Sequence, residues 1–131
     1  MVVPIPIRKK GPVISGWQNL RLTAETIRFA GFDKPQNIGL LMGEPSNLVC
    51  VDIDHPAAKE LAPLFLPSTG LIAGRPGNVG SHWFYHCTDS ESGKKFPIPK
   101  QQSQKDKIHH SVELLSTGQQ VVVGPSVHDT T

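Results

Sequence analysis

Short apolar runs bounded by turn residues mark six parts of this chain as strands. Leu48-Val49-Cys50-Val51-Asp52-Ile53 is an apolar run that ends in acid, and it predicts a buried strand. Asn37–Met42 precedes it as a second strand, across the Gly43–Asn47 turn. Ser81–Cys87 is aromatic-rich and free of Gly and Pro, which favours a third. Val112–Leu115 and Gln120–Val123 predict two more around the Ser116–Gln119 turn, and Leu71–Ala73 a brief one. Helical signals are fewer. Thr23 is placed to cap Ala24–Ala30, which ends at Gly31, and Pro56 suits the first position of a helix running to about Leu61. Three prolines make Met1–Trp17 read as an extended arm, and the glycines of Gly74–Gly80 read as a loop. Thr88–Lys107 is polar, with little to bury, and reads as a mobile loop (about 88–107). The expected fold class is therefore α/β (α+β), with small mixed sheets and a few short helices.

At 131 residues the chain fits one domain with a genuine core. No apolar stretch approaches the ~20 residues that a membrane helix needs, and Met1–Lys10 lacks the apolar region of a secretory signal. A cytoplasmic protein with two reduced thiols, Cys50 and Cys87, is expected. The net charge of +2 is too small to demonstrate a nucleic-acid partner. Its distribution is more informative, because Arg8-Lys9-Lys10 and the Lys94–Lys107 segment hold eight of the thirteen basic residues.

Alternation puts Asp52 and Asp54 on one face of their strand, about 6.6 Å apart along the backbone. Carboxylates at the end of a buried strand need a cation nearby, and hard oxygen donors suit Mg²⁺ or Mn²⁺. The competing reading is that Asp54 caps the Pro56 helix while Asp52 is solvated. Glu113 is the one charged group in Val112–Leu115 and could join the same cluster if the two strands are neighbours. His82 follows a glycine-bearing segment that contains Arg75, a combination suited to phosphate. Ser126 and His128 lack the G-x-S-x-G context of a hydrolase nucleophile.

The order of these elements resembles the Prim-Pol domain, the bifunctional DNA primase/polymerase of the archaeo-eukaryotic primase superfamily. Val51-Asp52-Ile53-Asp54 is similar to its first motif, Gly80-Ser81-His82 to its second and Val112-Glu113 to its third. Asn37-Ile38-Gly39, Gly118-Gln119-Gln120 and Pro125-Ser126-Val127-His128 fit the same family pattern, as do Lys10, Pro12 and Gly16-Trp17. The resemblance implies metal-dependent nucleotidyl transfer on a DNA template, with nucleoside triphosphates as substrates. Asp52, Asp54 and Glu113 would hold Mg²⁺ or Mn²⁺, and with His82 they form the implied catalytic set. Arg75, Ser81 and His82 would bind the nucleotide, and Lys9, Lys10, Lys94 and Lys95 would touch DNA. It also implies a primase-like core shortened at its C-terminus, with a helicase domain following in a longer protein. Two alternatives use the same residues: an inactive nucleotide- or DNA-binding module, and a metal-dependent nuclease.

Overall fold

The computed structural model describes residues 1–89, 92–96 and 112–128. Two antiparallel sheets carry the fold. The smaller has the order β1-β2-β8, built from Val2–Ile5 (β1), Asn37–Leu41 (β2) and Gln120–Val123 (β8). The larger has the order β4-β5-β3-β7-β6, built from Ile72–Arg75 (β4), Asn78–His86 (β5), Leu48–Ile53 (β3), Val112–Leu115 (β7) and Lys94–Phe96 (β6). The chain passes from the small sheet to the large one through the Gly43–Asn47 turn and returns through Ser116–Gln119. These two turns touch: a Cβ on Gly43 would lie 2.2 Å from the Thr117 backbone, so only glycine fits there.

The core between the sheets is Met42, Cys50, Phe84, Leu115 and Val121, with Leu40, Leu48, Ala73 and Val123 packed against it. On the outer face of β3, Val49 and Ile53 are buried on the side where α1 (Pro56–Phe65) meets this strand. No helix among the described residues is long and apolar enough to cross a membrane.

Several expectations change. Met1–Trp17 is not simply an arm, because Val2–Ile5 pairs with β2 and buries Val3 and Ile5 completely. Pro4 is tolerated because β1 is an edge strand, where a missing N–H breaks no central ladder. The Ala24–Ala30 helix shrinks to a 3₁₀ turn, Ile27–Phe29. Thr23 does accept the Thr26 N–H at 3.3 Å. The segment nevertheless buries no residue of its turn, and so short a helix needs packing to persist. The Pro56 helix runs past Leu61 to Phe65 with Pro63 inside it, its last turn held by the buried Ala62.

Gly74–Gly80 is a hairpin rather than a loop: Arg75 pairs with Asn78 across a Pro76-Gly77 turn. Pro followed by a glycine at φ 87° is the chemistry of a type II turn. Lys94–Phe96, assigned to the mobile loop, is the edge strand β6 paired to β7. Most of the rest of that loop, 90–91 and 97–107, lies outside the described residues.

Two outcomes follow from this packing. Ile5→Ala should lower stability by about 2–5 kcal/mol in urea denaturation, as core truncations do. Phe29→Ala, at a site 81% exposed, should change it by less than about 0.5 kcal/mol. Burial, with Asp52 nearby as a lesser cause, pushes the Cys50 thiol well above its ordinary value of 9.0. Unfolded chains therefore ionise this thiol first, and the stability it contributes is present below pH 9 and lost as pH rises beyond it. Alkylation at pH 8 should leave Cys50 unmodified until the protein is unfolded.

Candidate active site

The antiparallel register decides which side chains meet. Asp52 of β3 lies opposite His82 of β5 on one side and opposite Glu113 of β7 on the other. Residues directly opposite in a sheet project from the same face, so the three form one row across the central strands. Ala73 extends the row beyond His82, and Lys95 of β6 beyond Glu113. The row lies on the face that carries Cys50, Phe84 and Leu115, two residues further along each strand.

His82 Nε2 lies 3.3 Å from Asp52 Oδ1, yet that oxygen is buried without a hydrogen-bond partner, because the approach is misaligned. Glu113 Oε1 is 3.9 Å from Lys95 Nζ, an ion pair with a largely exposed lysine. Asp54 stands just past the end of β3. It does not cap α1; His55 does, its Nδ1 accepting the Ala57 N–H at 3.2 Å. Asn78 Nδ2 donates to Asp54 Oδ1 at 3.1 Å, while Lys59 Nζ of α1 donates to Asn78 Oδ1 at 2.7 Å. An ammonium can only donate, so Lys59 fixes which end of the Asn78 amide faces Asp54. The lysine thereby supports the aspartate without placing its own charge on it.

A cleft of about 470 Å³ receives these groups. Asp52, Asp54, His82 and Arg75 line it from the large sheet, and Lys9, Lys10 and His128 from the side built on the small sheet. Val121, Val122 and Val123 of β8 lie between, at the free edge of that sheet. Ser81 borders the cleft but is 1% exposed. Glu113 stands beside Asp52 without lining the cleft, and Lys94 and Lys95 lie on the edge strand β6. The backbone on either side of the Pro76-Gly77 turn pairs β4 with β5, and Arg75 and His82 line the cleft beside it.

The model of the family described as "Bifunctional DNA primase/polymerase, N-terminal" matches residues 1–131, the whole chain. The chain belongs to the Prim-Pol family. No curated protein and no solved structure matches it. As a Prim-Pol member it is a domain of the primase/polymerase, nucleotidyl-transferring type.

Prim-Pol domains are generally metal-dependent, and the donors here suit that requirement chemically. Asp52, Asp54 and Glu113 supply hard oxygens, and Asp52 Oδ1 is buried without a hydrogen bond. Among the described residues no three His, Cys, Asp or Glu side chains already converge as a metal site. The residues hold the right donors, two of them turned toward Asn78 and Lys95.

Asn78, Asn37 and Gln120 were not singled out as site residues from the sequence, since an amide's role depends on its distant partners. Ser126 is structural rather than nucleophilic: its hydroxyl donates to the Val123 carbonyl and accepts the Ile38 N–H. The Lys59–Asn78 contact should give a coupling of about 0.5–1 kcal/mol in a Lys59→Met/Asn78→Ala double-mutant cycle read by urea denaturation. Additive single effects would mean that the two side chains act independently.

Proposed function

We propose that this Prim-Pol domain joins nucleotides on a DNA template, with Asp52, Asp54 and Glu113 holding Mg²⁺ or Mn²⁺. The observation that carries this reading is the row His82–Asp52–Glu113, set by register at the edge of a cleft that also bears Arg75. Divalent cations, when bound, neutralise charge on the attacking 3′-oxygen and the leaving pyrophosphate. Arg75 offers a planar fork of donors to triphosphate oxygens. His82 donates to the same phosphates and, 3.3 Å from Asp52, links the nucleotide end of the site to the carboxylate end. In the reaction the 3′-hydroxyl gives its proton to solvent, its oxygen bonds to the α-phosphorus, the bond from that phosphorus to the α,β-bridging oxygen breaks, and pyrophosphate leaves with that oxygen. Fixed positive groups at the triphosphate stabilise the charge that develops on it. Lys9 and Lys10, and on the other side Lys94 and Lys95, are proposed to meet DNA phosphates. A cytoplasmic location belongs to this reading, and a helicase domain further along the protein has no support in the family assignment.

A second reading keeps the binding and drops the catalysis. It is favoured by the present engagement of Asp54 with Asn78 and of Glu113 with Lys95. Primer extension on a DNA template with Mg²⁺ or Mn²⁺ separates the two. Asp52→Ala and Asp54→Ala should each reduce extension by about 10²–10³-fold or more. Undiminished extension in those variants would remove the carboxylates from the chemistry. Wild-type protein that binds DNA and nucleotide but never extends would favour the binding module. DNA cleavage without nucleotides would mark a nuclease.

A further inference from the structure

The small-sheet side of the cleft is organised around one buried amide. Asn37 is 1% exposed at the start of β2. Its Oδ1 accepts the Val127 N–H at 2.8 Å, its Nδ2 donates to the Val127 carbonyl at 2.9 Å, and the same nitrogen reaches the Lys9 carbonyl at 3.4 Å. A side-chain amide that meets both the N–H and the C=O of one residue behaves like one more strand peptide, and its orientation is fixed by both partners. Two segments far apart in sequence thus meet at a single side chain.

Neighbouring contacts repeat the pattern. The Arg8 N–H donates to the same Val127 carbonyl at 3.2 Å, and the Ile38 N–H to Ser126 Oγ at 3.1 Å. Gln120 Nε2 donates to the Lys10 carbonyl at 2.9 Å. Gly39 makes room for that glutamine, since a Cβ there would lie 2.7 Å from Gln120 Oε1. The Lys9 N–H closes a turn onto the Pro6 carbonyl, with Arg8 held at φ 64°, a conformation uncommon for a residue with a side chain. All of this fixes backbone in the segments whose Lys9, Lys10 and His128 line the cleft.

We propose that Asn37 is a positioning residue which sets Lys9 and the His128-bearing segment as a phosphate-binding side of the cleft, separate from Arg75 and His82. This rests on the nucleotidyl-transfer reading for its ligand: phosphate of a nucleic-acid strand or of a nucleoside triphosphate. The buried amide ties the Lys9 and Val127–His128 segments to one side of the cleft.

The test is fluorescence anisotropy of the full chain in EDTA, with a labelled single-stranded oligodeoxynucleotide and, separately, a labelled nucleoside triphosphate, across a salt series. Working without metal separates this proposal from the one above, because binding of the probe is read whether or not extension occurs. Lys9→Met and His128→Gln should each weaken one of the probes by about tenfold. If the oligonucleotide responds, Lys9→Met should also lower its salt slope by about one; a response confined to the triphosphate identifies the nucleotide as the source. Asn37→Ala removes no charge, yet should reproduce the loss in protein that remains folded. Combined with Lys9→Met, it should add little further loss, because both act through the same cation. A folded Asn37→Ala protein with wild-type binding overturns the positioning role. Wild-type binding of both probes by Lys9→Met and His128→Gln overturns the phosphate-binding side itself, even if Asn37→Ala fails to fold.

Discussion

Cys50 is fully buried between Phe84 on one neighbouring strand and Leu115 on the other, and this packed row fixes how β3 sits between β5 and β7. Side chains along a strand alternate between faces, so a slip of one residue would turn the Cys50 row out of the core. It would also separate Asp52 from His82 and Glu113, which lie two residues further along the same strands. The apolar core and the polar site are thus consecutive rungs of one ladder, and the hydrophobic effect places the carboxylates. That placement is unfavourable for Asp52, whose Oδ1 is buried without a donor.

The two sheets add a second constraint. They are tied where Gly43 meets Thr117, and the carboxylates lie toward the other end of β3, near the start of β2 and the end of β8. The cleft gathers Asp52, Asp54, His82 and Arg75 from the large sheet and Lys9 and Lys10 from a segment pinned to the small one. The supporting amides follow one principle: Lys59 acts on Asp54 through Asn78, and Gln120 and Asn37 act on backbone carbonyls. Each keeps a reactive or charged group oriented without neutralising it.

Much of the large sheet was legible in the sequence, because β3, β5 and β7 carry apolar or aromatic runs. Asp52, Asp54, His82 and Glu113 could be named for the same reason, each ending or interrupting such a run. Strand β1 was hidden by Pro4, whose penalty vanishes at an edge, and β6 by its lysines, which suit an edge exposed to water. The glycines of 74–80 pointed to a phosphate loop when they serve a bulged hairpin and the close approach of Gly74 to the Asn78 carbonyl. The ladder of amides was illegible for a different reason. Asn37 and Val127 are ninety residues apart, and no local pattern announces a hydrogen bond of that span.

The central claim is that one cation-binding centre forms around the His82–Asp52–Glu113 row. Paramagnetic broadening of backbone amide signals by substoichiometric Mn²⁺ tests it most directly. Broadening should begin at Asp52, His82 and Glu113 and fade toward His86, roughly 13 Å along the same strand by the rise per residue. It should disappear in Asp52→Ala protein that retains the wild-type spectrum elsewhere. Broadening centred away from this row, or unaffected by loss of Asp52, would contradict the account.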